Sequence, residues 1–281
     1  MVDVALIAEK KEEYLEKLLK AFEEKKLSAE FIEVGNLGII VEKNTSSVFF
    51  EKKEFSEYSS VFLSLPVEFT LFAEPFLSEL VDAGTYCQLK PNSYYILSNK
   101  PFLYANLNSK NVSISKTDIL ADKESIDATI KDISYPLIVK TFLGLKKTNS
   151  VLIESERSLK SFIQSISVNV DAITIQEYLE GDVDQSLVIG DSVFTIKRKW
   201  VEKELAHSKK PISTKLSDVD AEMAIKAAKI CGMDIGVVKM INGKVIGVRN
   251  RIDFELFNTA LSENMYSKVA AFYEEKIRGK N

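Results

Sequence analysis

Apolar residues recur along this chain at two different periods, and their alternation predicts strands and helices in turn. Val4–Ala8 is a short apolar block suited to a buried strand. It leads into a charged stretch, Glu9–Lys26, whose Tyr14, Leu15, Leu18, Leu19 and Phe22 recur at three- and four-residue spacing, as on one face of a helix. Phe31–Val34, Ile39–Val41 and Val48–Phe50 read as further short strands, and Val61–Leu65 as a buried one followed by a helix that ends near Gly84. This opening third predicts a small α/β domain with a parallel sheet.

A second α/β unit begins near Asn99. Ser125–Ile133 reads as helix and Pro136–Phe142 as strand, with Val151–Ile153 as its hairpin partner. Ser155 is placed to cap a helix carrying Leu159, Phe162, Ile163 and Ile166 on one face, and Ile173–Leu179 is the next strand. In the final third, Ser186–Ile189 and Val193–Trp200 are strands joined at Gly190-Asp191, and a polar loop runs on to Leu216. Ser217 with Asp220 has the form of a capping box before the Ala-rich helix Ala221–Cys231, with Gly232 as its C-terminal cap. Asn242-Gly243 between Ile235–Ile241 and Lys244–Val248 is a hairpin signal, and a helix over Glu263–Ile277 closes the chain.

Composition narrows the function classes. With 281 residues, 46% hydrophobic and 28% charged, the chain reads as a folded protein and not as a disordered one. At roughly 100–200 residues per domain, two domains or one large one with an inserted lobe are expected. The greasiest stretch, Ser60 to Val81, is interrupted by Pro66, Glu68, Glu74, Pro75 and Glu79, short of the ~20 apolar residues of a membrane span. The acidic N-terminus does not read as a signal peptide. With Cys87 and Cys231 alone, neither a disulfide framework nor a cysteine zinc site is expected, and a cytoplasmic location follows. A net charge of −4 argues against a dedicated nucleic-acid binder. The single histidine, His207, excludes Ser-His-Asp hydrolysis and multi-histidine metal sites. Cations nevertheless cluster locally, at Lys197, Arg198, Lys199 and Lys203 and again at Lys239, Lys244, Arg249 and Arg251.

Five passages in a fixed order carry a resemblance. Asn99-Lys100 with Val112–Thr117 is similar to a "DK…IPxPKT" passage, and Pro136–Lys140 with Gly144 to "PVVVKPxxGS". Ile175–Leu179 is similar to "VQEYI", and Leu187–Asp191 with Ile196–Arg198 to "FVVGD…IxR". Ala224–Ala228, Gly236-Val237 and the closing hairpin are similar to "AxKAA…GVDI…EVN". Together they resemble the ATP-grasp ligases of the RimK and LysX type, which join an amino acid to a carboxylate.

The resemblance implies an α/β (α+β ATP-grasp) fold. A parallel-sheet pre-ATP-grasp domain over residues 1–98 would precede a two-lobed module, its small lobe 99–178 and C-terminal lobe 179–281. It implies ATP as cofactor and acyl-phosphate chemistry, in which catalysis is mostly positioning and charge neutralisation around phosphates. By resemblance Lys100 and Lys140 neutralise phosphates, Gln176, Glu177, Tyr178 and Leu179 face adenine, and Asp184 or Asp182 reaches the ribose. Arg198 stabilises the transferring phosphate or the substrate carboxylate. It also implies a nucleotide or another anionic small molecule as partner, with an acidic protein substrate or partner and a homo-oligomer as further expectations.

The catalytic parts depart from the family pattern. The phosphate-covering loop, Gly144–Ser150, has Lys147 and Asn149 where glycines are expected. Val238, Gly247 and Arg249 stand where the family's Mg²⁺-binding Asp, Glu and Asn are expected, with Lys239 and Arg251 adjacent. Mg²⁺ is therefore not expected. Three readings stay open: a cleft in which Lys239, Arg249 and Arg251 replace the metal's charge, a non-catalytic scaffold for a polyanion or a protein, and an active ligase with Asp253 and Glu255 as displaced metal ligands.

Overall fold

The computed structural model describes residues 2–43, 45–51, 53–55, 57–126, 134–166, 170–201 and 206–279. Strand β1 (Val2–Ala8) is followed by helix α1 (Glu13–Glu24), which buries Leu15, Leu18, Ala21 and Phe22 as the spacing predicts. Then come β2 (Ala29–Glu33), β3 (Leu37–Glu42), β4 (Thr45–Phe50), β5 (Lys53–Glu54), β6 (Tyr58–Ser64), α2 (Thr70–Asp82) and β7 (Tyr86–Cys87). The parallel sheet has the order β2-β1-β6-β7. Strands β3, β4 and β5 stand apart as an antiparallel sheet. The link from Glu42 to Thr45 is far shorter than the dozen or so residues a parallel crossover needs, so these two runs can pair only as a hairpin.

Helices α3 (Ser93–Ser98) and α4 (Lys100–Ser109) lead to the small-lobe sheet, and periodicity alone does not announce them. Asn99 starts α4, its Oδ1 accepting the Phe102 N–H at 3.1 Å, with Pro101 in the first turn where no intrahelical donor is lost. Strands β8 (Thr117–Leu120), β9 (Leu137–Leu143), β10 (Lys146–Ile153) and β11 (Ala172–Glu177) form an antiparallel sheet of order β10-β9-β11-β8. Helix α5 (Glu156–Ser165) begins at a reciprocal Ser155–Ser158 cap. Leu137, Val139, Leu159, Ile173 and Ile175 make a separate core there. The helix expected over Ser125–Ile133 lies outside the described residues beyond Ile126.

The C-terminal part holds β12 (Val183–Ile189), β13 (Ser192–Arg198), the short pair β14 (Trp200–Val201) and β15 (Ala206–His207), β16 (Ile212–Thr214), α6 (Asp218–Ile230), β17 (Ile235–Ile241), β18 (Lys244–Arg249), α7 (Phe254–Leu261) and α8 (Met265–Arg278). Its main sheet runs β16-β13-β12-β17-β18. Asn242 and Gly243 adopt positive φ of 49° and 72°, the turn this dipeptide favours. Ser217 Oγ accepts the Asp220 N–H at 3.1 Å, so the expected cap forms.

Alternation gives this sheet two faces. Val188, Val238, Met240, Val245 and Val248 join a core with Ala224 and Ala227 of α6 and with Ile7 and Leu63 of the parallel sheet. Leu187, Ile196 and Val237 point the other way, into a core with Phe254, Phe257 and Met265 and with Val4 and Leu6. Tyr273 pins α8 to the parallel sheet, donating to the Val61 carbonyl at 2.8 Å.

Candidate functional site

On β9, Val139 is buried in the small-lobe core while Lys140 points to the opposite face. Its Nζ donates to Tyr104 Oη at 3.3 Å and to Gln176 Oε1, and lies 5.5 Å over the Tyr104 ring. Gln176, 4% exposed, passes the network on by donating Nε2 to Thr117 Oγ1 at 2.8 Å. Thr174, directly opposite Lys140, is buried with its hydroxyl unpaired among the described residues. Lys100 is the first residue of α4, and its Nζ donates to the Leu97 carbonyl at 2.6 Å. Burial holds both lysines below the ordinary lysine pKa, and the charge of Lys140 pushes Lys100 further down.

The segment after β11 joins the two lobes. Glu177 Oε2 accepts Lys244 Nζ at 2.8 Å and the Lys116 N–H at 3.3 Å, and these bonds, led by Lys244, hold its carboxyl below the usual range. Tyr178 N–H donates to the Pro136 carbonyl at 3.3 Å, and Tyr178 and Leu179 are half-buried. Glu177 is thus engaged as a strut between β11 and the hairpin β17–β18.

The second group lies on the main sheet. Gln185 pairs with Lys239, Lys239 with Gly247, and Arg249 with Val237, so Gln185, Lys239, Gly247 and Arg249 share one face. Arg198, paired with Val183, is on that face too. Its Nε donates to the Ser208 carbonyl at 3.0 Å. Lys239 and Arg249 are half-buried and Arg251 is exposed. Burial lowers the pKa of Lys239, and the neighbouring Arg249 and Arg198 charges add to the effect. Burial is also the main cause lowering Arg249, with Arg198 and Arg251 acting the same way and Asp253 opposing. None of these cations has a carboxylate in ion-pair reach among the described residues.

Asp184 lies on the opposite face, 3.5 Å from Lys197, its pKa raised by burial. Val238 is also on that opposite face and fully buried, so it is Lys239 that stands across from Gly247. Strand pairing therefore puts Lys239, Gly247 and Arg249 together, a set that offers no side-chain oxygen. Asp253 Oδ1 caps α7 by accepting the Leu256 N–H at 3.1 Å. Glu255 Oε1 accepts Lys17 Nζ and the Tyr266 hydroxyl, each at 2.9 Å. Among the described residues no cluster of three or more His, Cys, Asp or Glu could hold a metal. Mg²⁺ takes oxygen ligands, so this donor set does not suit it. A polyanion suits it: Gln185 Nε2 and Arg249 Nε are buried donors with no acceptor among the described residues.

Two cavities lie where the parallel sheet meets the β18–α7 segment. One of about 320 Å³ is lined by Tyr14, Ser64, Arg249, Arg251, Asp253 and Tyr266 among others. A second of about 240 Å³ includes Ala8, Glu9, Glu12, Pro66 and Asn250. They open beyond the C-terminal ends of β1 and β6, where the strand order reverses, and ligands of open α/β sheets gather at such a point. Tyr14 and Ser64 bond to one another at 2.7 Å. In the sequence Tyr14 reads as part of an apolar helix stripe and Thr117 as the end of a family-like passage, and Ser64, Tyr104 and Gln185 are not singled out. For Gln185 a signal existed, since period-two alternation sets it on the same face as Leu187 and Val183.

Residues 96–270 match the sequence pattern of the RimK-like ATP-grasp domain. The chain belongs to the RimK-like ATP-grasp family. It is 26% identical to a probable alpha-L-glutamate ligase of Psychromonas ingrahamii over 62% of this chain and 62% of that protein, so it spans less than two thirds of that relative. With a probable alpha-L-glutamate ligase of Vibrio atlanticus it shares 23% identity over 98% of this chain and 96% of the other. Its fold is similar to that of the ATP-grasp ligase PsnB complexed with minimal precursor, Mg and ADP, with a TM-score of 0.75 at 16% identity, covering 99% of this chain and all of that one. The α/β ATP-grasp architecture implied by the five passages is thus present, and the family's members are ATP-using carboxylate–amine ligases and their homologues. No described helix is long and apolar enough to cross a membrane.

Proposed function

We propose that this chain binds ATP, or another polyanion, in a cleft between the small-lobe sheet and the main sheet, and that Mg²⁺-dependent ligase chemistry there is impaired or lost. One observation carries the reading. Lys239 and Arg249 face the site position at which the family places acidic ligands, with Gly247 between them and Arg198 on the same face. Like charges at such a position repel a divalent cation and attract phosphate. Lys100 and Lys140 neutralise phosphates as point charges, and partial burial strengthens their pull. Gln176 and the backbone of Glu177, Tyr178 and Leu179 border the base. Asp184 is occupied by its ion pair with Lys197 and acts on the ligand only through that lysine. Arg251 lines the cavity in which a carboxylate or amine substrate would sit.

The chain's three parts, residues 1–98, 99–178 and 179–281, then act as substrate platform, phosphate lid and nucleotide floor in a cytoplasmic protein that pairs with copies of itself. Calorimetry with ATP, with and without Mg²⁺, tests the reading. Binding without Mg²⁺ and absence of ADP release over candidate amino acids support it. Turnover that requires Mg²⁺ refutes it and favours Asp253 and Glu255 as displaced ligands, although both already hold structural bonds. A second reading, a scaffold for an acidic peptide, draws on the same cations and on the precursor peptide with which PsnB is complexed. It is the outcome if ATP does not bind and an acidic peptide does.

A further inference from the structure

The two unpaired donors of the main sheet go beyond general attraction for a polyanion. Gln185 is 1% exposed, and its Nε2 has no acceptor among the described residues. Its pairing partner Lys239 and the buried Arg249 Nε share its face. Opposite Lys239, Gly247 leaves open space, since a side chain built there would meet no atom within 4 Å. A buried donor left without an acceptor is destabilising, and two such donors beside the Lys239 cation on one sheet face, with no carboxylate in ion-pair reach among the described residues, form a site that an anion completes.

We propose that Gln185, Lys239 and Arg249 form a half-buried subsite for one phosphoryl group of a polyphosphate, and that it selects the metal-free polyphosphate over its Mg²⁺ chelate. The inference rests on the polyanion reading above and names its ligand form. A neutral amide adds directional hydrogen bonding that a lysine point charge lacks, while Lys239 and Arg249 supply charge. A chelated Mg²⁺ withdraws charge from the phosphoryl oxygens and brings a divalent cation toward two resident cations. Gln185 thereby becomes a binding residue, and Gly247 the position that keeps the space clear.

The test is calorimetry on the full chain with inorganic triphosphate and with ATP, each in EDTA and in excess Mg²⁺. The wild type is expected to bind both in EDTA and to lose about tenfold or more in affinity with Mg²⁺, the loss expected for a charge-assisted contact. Gln185→Leu should weaken both ligands by about tenfold while its melting temperature without ligand rises, because an unpaired buried donor is gone. Gly247→Asp, placed in open space, should fold normally and abolish binding in EDTA, which keeps the test decisive even if Gln185→Leu folds poorly. Equal or better affinity in Mg²⁺, or unchanged affinity in both variants, overturns the proposal. Triphosphate binding that ATP cannot displace leaves the subsite standing and removes the nucleotide reading. ATP binding indifferent to both variants does the reverse.

Discussion

Replacing Lys239 with Met keeps the length and flexibility of the side chain and removes its charge, so it separates what that charge does to the fold from what it does for a ligand. Lys239 and Arg249 are diagonal neighbours on one sheet face, a relation that places side chains about 7 Å apart. At an effective dielectric of about 20, two like charges at that distance repel by about 2 kcal/mol, and solvent screening of these half-buried groups reduces this to about 1 kcal/mol. Removing half-buried charge relieves a desolvation penalty as well. Lys239→Met should therefore melt a few degrees higher than wild type, at about 2–4 °C per kcal/mol for a chain of this size. The same change deletes a charged contact to phosphate, so ATP affinity in EDTA should fall by about 10- to 100-fold. Differential scanning calorimetry and titration calorimetry on one preparation check both. A variant that melts lower and binds ATP as tightly as wild type would show that Lys239 is a structural cation with a hidden partner, and the electrostatic account of this face would fail.

Four further outcomes follow from the same geometry. Lys239 is held below its ordinary value of 10.5, so the folded state loses that proton before the unfolded state does, and stability from this group rises with pH up to about 10.5. Cys87 and Cys231, pushed up to about 12, oppose it, so the difference in melting temperature between Lys239→Met and wild type isolates the lysine and should shrink as pH rises from 7 to 10. Val238→Asp, which the resemblance to the family motif suggests as a way to restore a metal ligand, should instead destabilise the fold by more than about 4 kcal/mol, because Val238 is fully buried, seen as loss of cooperative melting by circular dichroism. Lys239→Asp should fold normally and lose metal-free anion binding in calorimetry. Gln176→Leu should lower the melting temperature by several degrees, because Lys140 and Thr117 lose a shared partner and a broken buried bond costs about 1–3 kcal/mol.

Much of the fold was legible because local rules and the final structure agree. The amphipathic helix Glu13–Glu24, the caps at Ser155 and Ser217, and the turn at Asn242-Gly243 depend on residues a few positions apart, and all form where the pattern puts them. Helices α3 and α4 were not legible: α3 has only six residues and is buried on most sides, and α4 carries apolar Phe102 and Ala105 on its exposed side beside buried Leu103, Tyr104 and Leu107, which blurs the amphipathic period. Helix α7 is only eight residues long, with Phe254 and Phe257 as its buried anchors, too short for its period to stand out.

The candidate site divides along the same line. Order and spacing of short passages sufficed to place the chain in its family and to single out Lys100, Lys140, Arg198 and Arg249 as candidates, because a strand's alternation is a property of its own residues. Pairing between strands is not. Which of Val238 and Lys239 confronts Gly247 depends on hairpin register and on the irregularity between Lys239 and Met240, and a one-residue offset exchanges a core valine for a site lysine. Register likewise set Gln185 among the cations, turned Asp184 away from them, tied Glu177 to Lys244, and brought Tyr14, Ser64 and Arg251 to one cavity from distant parts of the chain. Residue types and their local periods were written in the sequence, and their meeting across strands was decided by burial of two cores, which leaves each strand only one register that hides its apolar side.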